Sequence, residues 1–480
     1  MTPSQSHSAR PSESSFLIGD KSRSHSRISK VSESFLDITR PSMVITYDEE
    51  MHETEVEGSS LVSGITNLAH TVLGTGVLAL PKAVADAGMA FGLTFLILGA
   101  FAGVLSNYLL GRSAMFLDGR QSFTTIADRI RPGLSIAAEV FVIFNCLGSA
   151  IGYLIVFSTT FQMAFGGLRQ VWVIVATCCV IPISLLRTMD ALRLSSAIGL
   201  GILLLLTLMV FIMYFEPLDI LSPCNAKGGT SCKGSIVVAG TPLSVISSFV
   251  VFTNGYTCQQ SLVPIIAELA EPTPAQLSML IGGAFAIVLP VYVIFCVFGY
   301  LQYGSAVHSD ILDSLPDNWL MSVARVGMGV AVITSFPLQA FATRKAFSNI
   351  YWTSRVLCCG QIKDGDNPEV RISKFSEAPQ QNCLGRAKGL LINDKIELIV
   401  IVAVIGVSFM IAMVVEDLGV VVSIAGALGA ASITFIFPGL FYAFLLRDSG
   451  STVLRIAAMA MFVFGLILIP MSLTITFVTH

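Results

Sequence analysis

Charge is what this 480-residue sequence has least of: Asp, Glu, Lys and Arg together make up 12% of it. Soluble domains carry roughly 25%, so the chain lacks the polar surface that water demands. The net charge of -3 says nothing about partners, because the charges are segregated along the chain. Zinc-type cysteine spacing is also missing. Cys146, Cys178, Cys179, Cys258 and Cys296 sit in apolar runs, where cysteine serves as a small hydrophobe between helices; no metal and no cofactor are expected. No apolar leader opens the chain, residues 1–58 being polar, so insertion is expected to begin at the first internal span. Enzymatic parts are lacking as well: no metal-ligand cluster, nucleophile elbow or pair of intramembrane carboxylates appears. A channel would want rings of pore-lining groups in a symmetric assembly, and this single chain gives no sign of one.

What the sequence has is apolar length. Hydrophobic residues make up 54%, and the mean hydropathy is +0.78. Crossing a bilayer takes about 20 apolar residues, and such runs fall near 59–81, 89–111, 135–163, 170–186, 194–215, 241–267, 275–303, 318–343, 396–415, 418–446 and 454–478. An all-α membrane protein of 11 transmembrane helices is therefore expected, its transmembrane domain covering 59–478. Inside the runs, His70, Glu139 and Arg325 are the notable ionisable groups. Arg325 must face protein or water there, and a packing partner such as Asp310 or Asp313 is expected rather than contact with substrate. Residues 1–58 cannot bury enough apolar surface to fold and read as a disordered tail. Ser24, Ser26 and Ser29 beside Arg23 and Arg27 are candidates for phosphoregulation.

Lys and Arg set the orientation, since they favour cytoplasmic loops. With the tail in the cytoplasm, that side collects 17 of them, nine in the loop 344–395. The opposite side has Lys82, Arg169, Lys227 and Lys233. A cytoplasmic N-terminus follows. The non-cytoplasmic loop 216–240 carries Cys224 and Cys232, which are either bridged, as the compartment allows, or two free thiols.

A polar substrate needs hydrogen-bonding groups at mid-membrane, and a broken helix supplies them from its own backbone. Span 1 carries Gly74 and Gly76 around Thr75 at its middle, within Asn67-Leu-Ala-His70-Thr71-Val-Leu-Gly74-Thr75-Gly76-Val-Leu-Ala-Leu-Pro81. In span 6, the eight residues from Thr253 to Gln260 contain no aliphatic side chain. In lipid that is costly, so they are expected to line a cavity. Breaks in spans 1 and 6 correspond if five helices form a repeat, and an odd repeat inserts its second copy inverted. Either break alone is equally compatible with small-residue helix packing.

These residues resemble the amino acid/auxin permease family, which includes the fungal vacuolar amino acid transporters and the sodium-coupled neutral amino acid transporters. Span 1 is similar to the family's N-x-x-N-T-x-x-G-x-G-x-L-x-x-P. Tyr256-Thr257-Cys258-Gln259-Gln260, followed by Pro264 and Glu268-Leu269, is similar to F-T-C-H-Q-N…P-x-x-x-E-L. Ser335-Phe336-Pro337-Leu338-Gln339, then Arg344, is similar to S-Y-P-L-Q…R. The resemblance covers roughly 59–478. It implies a leucine-transporter-type fold, a 5+5 inverted repeat with one helix more, and ion-coupled amino acid transport by alternating access.

The resemblance maps a substrate carboxylate onto Thr71, Gly74, Thr75 and Gly76, and an amino group near Thr253, Asn254, Thr257 and Cys258. Two departures bear on the coupling ion. His70 replaces the usual amide of span 1, and Gln259 stands where histidine is common in span 6. Histidine titrates near neutrality, so a proton is the favoured ion with His70 as its carrier. The alternative is a neutral His70 bonded to a neighbouring helix. Sodium is the other possible ion, with Asn67, Thr334 and Ser335 as candidate ligands; those hydroxyls could equally bond their own helix. In span 3, Asn145, Gly148, Ser149, Gly152 and Tyr153 share one helical face. That face either packs tightly or, through Asn145 or Tyr153, lines the cavity.

A secondary transporter, expected to act as a monomer in a vacuolar or lysosomal membrane, is the leading reading; a plasma-membrane location is the alternative. Amino acids and the lipid bilayer are its expected partners, with no nucleic acid. An amino acid sensor built on a transporter fold is the competing reading.

Overall fold

The computed structural model describes residues 43–46, 54–57, 60–74, 76–117, 121–184, 193–215, 234–269, 272–316, 319–359 and 395–479. Thr75, Cys224, Cys232 and most of the N-terminal tail lie outside them. Within the tail, Met43–Thr46 (β1) pairs antiparallel with Thr54–Glu57 (β2), Val44 opposite Val56.

The rest is helical. Span 1 is two helices, α1 (Leu61–Val72) and α2 (Gly76–Ala87), bent by 49°. Ser60 caps α1 by accepting the Ser63 N–H, which fixes where the first half begins. Next come α3 (Met89–Phe116), the short α4 (Phe123–Ile130), α5 (Leu134–Phe165), α6 (Arg169–Ser184) and α7 (Arg193–Phe215). Span 6 is broken as well. Thr241 caps α8 (Pro242–Gly255), with Pro242 in the first turn, where its missing N–H costs nothing. After Tyr256, Thr257 and Cys258, α9 (Gln259–Glu268) takes over.

A capping box of Thr273 and Gln276 starts α10 (Pro274–Tyr303). A one-turn α11 (Ile311–Ser314) precedes α12 (Trp319–Cys359). That helix runs past the expected end of its span at 343, so the first part of the expected 344–395 loop is helix. The chain closes with α13 (Lys395–Val414), α14 (Leu418–Ala425), α15 (Phe437–Leu445) and α16 (Thr452–Thr479). Two π-helical segments, Gly426–Ala430 and Ser432–Ile436, join α14 to α15 into one continuous run.

Among the described residues, seven helices are long and apolar enough to cross a membrane, or eight if the bent pair α1–α2 counts as one span. Their outer faces carry large exposed side chains such as Phe101, Phe144, Leu205, Val323 and Ile456. In water these would be an association hazard; in lipid they are the matching surface. The protein is thus a multi-pass membrane protein. Inside, α5 and α12 form the most extensive helix pair, and α2 packs along α8. A Cβ placed on Gly76 would sit 3.4 Å from the Gly255 Cα, so the two breaks touch backbone to backbone. Glycine at both positions permits that approach.

Candidate substrate and coupling site

A cavity opens where the two broken spans meet. Span 1 contributes Thr71, Val72, Gly74 and Gly76, and span 6 contributes Asn254, Thr257 and Gln260. From α5 come Asn145, Gly148, Ser149, Gly152 and Tyr153, the whole face expected from their spacing. Gln339 of α12 and Val422 and Ala425 of α14 complete the wall. Among the described residues the lining holds no acid and no base, only hydroxyls, amides, backbone and a few small apolar side chains.

Three hydroxyls organise the breaks. Tyr292 of α10 stands 2.6 Å from the Val72 carbonyl oxygen and 2.6 Å from that of Gly255. One phenolic proton thereby serves one acceptor on each broken span, and Tyr292 is fully buried between them. Nothing in the apolar run around Pro290 marks this tyrosine as special. Tyr153 lies with its hydroxyl 3.3 Å from where a Cβ on Gly74 would be, so the missing side chain makes its room. It accepts a bond from the Gln339 amide at 3.4 Å. Thr257 donates to the Thr253 carbonyl at 2.9 Å and sits 3.2 Å from the Thr434 hydroxyl, tying span 6 to the π segment.

Of the expected substrate residues, Thr71, Gly74, Gly76, Asn254, Thr257 and Tyr153 are brought together in the cavity wall. Thr75 lies outside the described residues. Thr253 and Cys258 are buried beside the cavity instead of lining it. The Thr253 hydroxyl bonds back to Phe249, and its carbonyl is taken by the Tyr256 N–H and the Thr257 hydroxyl. The Cys258 thiol faces the Asn107 amide at 3.5 Å. Most of the stretch from Thr253 to Gln260 is therefore turned inward: Tyr256 donates to the Leu96 carbonyl and Gln259 to the Ser106 hydroxyl. The polar run is spent on holding span 6 against α3, and three of its residues face the cavity.

The coupling candidates form a second cluster beside the first. His70 is buried, its Nε2 3.2 Å from the Ser335 hydroxyl of α12. Gly199 of α7 faces the imidazole so closely that a Cβ there would collide with Nε2. The ring thus fills the space between spans 1, 5 and 8. Ser335 and Thr334 both donate to the Ala331 carbonyl, so each also bonds its own helix. With the Ser335 proton on that carbonyl, His70 donates from Nε2. Its buried Nδ1 then has no partner. Asn67 lies one turn earlier, its carbonyl accepting the Thr71 hydroxyl at 2.8 Å.

Away from the cavity, Arg325 donates to the carbonyls of Leu312 and Leu315, closing the end of α11. Asp310 and Asp313 share this knot between α10 and α12. Burial raises both carboxyls above the usual range, Asp313 to about 6, where the neighbouring His308 and Arg325 charges oppose the shift.

Two broken helices meeting around an uncharged polar cavity, inside a lipid-matched shell, define a membrane transporter as the class. The comparisons with known proteins agree. A solved structure of a point mutant of the Eremococcus coleocola manganese transporter superposes with a TM-score of 0.54 at 10% identity, covering 91% of this chain and 89% of its own. The family described as "Transmembrane amino acid transporter protein" matches residues 57–478, and the chain belongs to it. Among relatives, Vacuolar amino acid transporter 6 of Saccharomyces cerevisiae is 24% identical, over 87% of this chain and 98% of its own length. Vacuolar amino acid transporter 5 of Schizosaccharomyces pombe is 25% identical, over 82% and 86%.

Proposed function

We propose that this protein carries amino acids across a vacuolar membrane by alternating access, with a proton as the coupling ion. One observation carries the reading: the N-terminal end of α2 and the C-terminal end of α8 meet at Gly76 and Gly255 beside the cavity. Helix N-termini attract anions and C-termini attract cations. A zwitterion carries one of each, a few ångströms apart. Its carboxylate would sit against Gly74 and Gly76 near the Thr71 and Tyr153 hydroxyls, and its ammonium against Asn254 and Thr257. In this reading the eleven helical runs are two inverted units of five spans and one span more, with the N-terminus cytoplasmic.

The proton reading rests on what occupies the pocket between spans 1, 5 and 8. A sodium ion held by the Ser335 hydroxyl would compete with the His70 ring, whose Nε2 lies 3.2 Å from it. The bare Nδ1 is the atom at which His70 would take up a proton. An ionisable group at membrane depth is a functional hypothesis by default.

Uptake of radiolabelled amino acids into proteoliposomes tests both parts. Saturable uptake driven by a pH gradient, and indifferent to sodium, is the expected result. Saturable binding without flux would replace the transporter by a sensor; sodium-driven uptake would replace the ion.

A further inference from the structure

Asn145, Gln260 and Gln339 each carry a side-chain amide oxygen with no hydrogen-bond partner. The residues are 2%, 8% and 6% exposed, and all three line the cavity, from three different helices. A buried acceptor without a donor is costly, so three in one wall are a standing cost that a ligand's donors would offset. Resting on the transport reading above, we infer that the cavity selects amino acids whose side chains are neutral and donate hydrogen bonds: carboxamides first, hydroxyls second.

The chemistry separates the candidates. A carboxamide brings two N–H donors, and its oxygen can accept in turn from the amide nitrogens of the wall. A hydroxyl brings one donor. A lysine ammonium would find the same oxygens but no carboxylate, and an ammonium taken from water without a counter-charge is strongly disfavoured. A glutamate side chain would set lone pairs against lone pairs with no base to answer it. A leucine side chain could lie on Val422 and Ala425, yet would leave the three oxygens unpaired. Sites that hydrogen-bond their substrate reject analogues lacking the donor far more strongly than apolar sites reject a shorter chain.

The test is counterflow exchange with the full-length protein in liposomes, using labelled glutamine, serine, leucine, lysine and glutamate. Glutamine is expected to half-saturate at least about tenfold below leucine, with lysine and glutamate not carried. Gln260→Leu is expected to bring leucine within about threefold of glutamine. Gln260→Glu, equal in shape and richer by one charge, is expected to admit lysine. In the wild-type protein, exchange of lysine or glutamate on a par with glutamine, or a preference for leucine, overturns the inference and leaves transport standing. Exchange of none of the five overturns both.

Discussion

The hydroxyl of Ser335 lies 3.2 Å from Nε2 of His70, joining the long helix α12 to the first half of the broken span. The two rival coupling ions would therefore use the same spot. A serine expected as a sodium ligand is the hydrogen-bond partner of the histidine expected to carry a proton. Sequence spacing placed them 265 residues apart and gave no reason to set them against each other.

Replacing His70 by asparagine restores the amide usual in the family and removes the titrating group. Uptake driven by a pH gradient should fall about tenfold or more, the scale of a coupling of about 1–3 kcal/mol between two ligands. Exchange between equal pools at one pH should persist. Unchanged proton drive in the variant would remove His70 from the coupling step.

Gly199→Ala puts a methyl group into the space of the imidazole. Overpacking of this kind costs about 1–3 kcal/mol when neighbours must shift. The expected effect is a displaced pH profile of driven uptake, and the double variant with His70→Asn should lose no more than His70→Asn alone. An independent, additive loss would show that Gly199 acts through general packing.

Tyr292→Phe deletes one oxygen and leaves the Val72 and Gly255 carbonyls without their shared donor. Stranding buried acceptors costs about 1–3 kcal/mol, so the melting temperature in detergent should drop. Substrate affinity should fall too, because both breaks lose their common anchor. A variant with unaltered melting and affinity would mean water replaces the hydroxyl without cost.

Burial holds the Asp313 carboxyl at about 6, above its value in an unfolded chain. The ionised form is thus the one the fold disfavours. Its cost is absent below about pH 4, grows as pH rises towards 6, and is complete above that. Asp313→Asn should therefore raise the melting temperature at pH 7.5 and have little effect at pH 4. An equal gain at both would assign the effect to something other than charge.

How far the sequence could be read depended on whether a signal was local. Both breaks were legible because glycine and a polar run in an apolar stretch are costly in lipid and need no partner to be noticed. The α5 face was legible from helical spacing alone, and all five of its residues line the cavity. Which polar residues of span 6 face inward was not, since Tyr256 and Gln259 are claimed by Leu96 and Ser106 on α3, more than 150 residues away. Tyr292 was invisible for the same reason: a tyrosine in an apolar span becomes a clamp only when two distant carbonyls arrive beside it. The length of α12 was missed because its continuation to Cys359 is polar, and hydropathy marks where lipid ends, not where a helix does.

The cavity wall draws on Thr71 near the start of the chain and on Val422 and Ala425 near its end. A ribosome must therefore translate from Thr71 through Ala425 before a solute has anywhere to lodge. Nascent chains inserted span by span meet the membrane without any help from cargo, and must reach their arrangement on helix packing alone. A product cut short before Val422 would have a gap on one side of the chamber, unable to close around a solute.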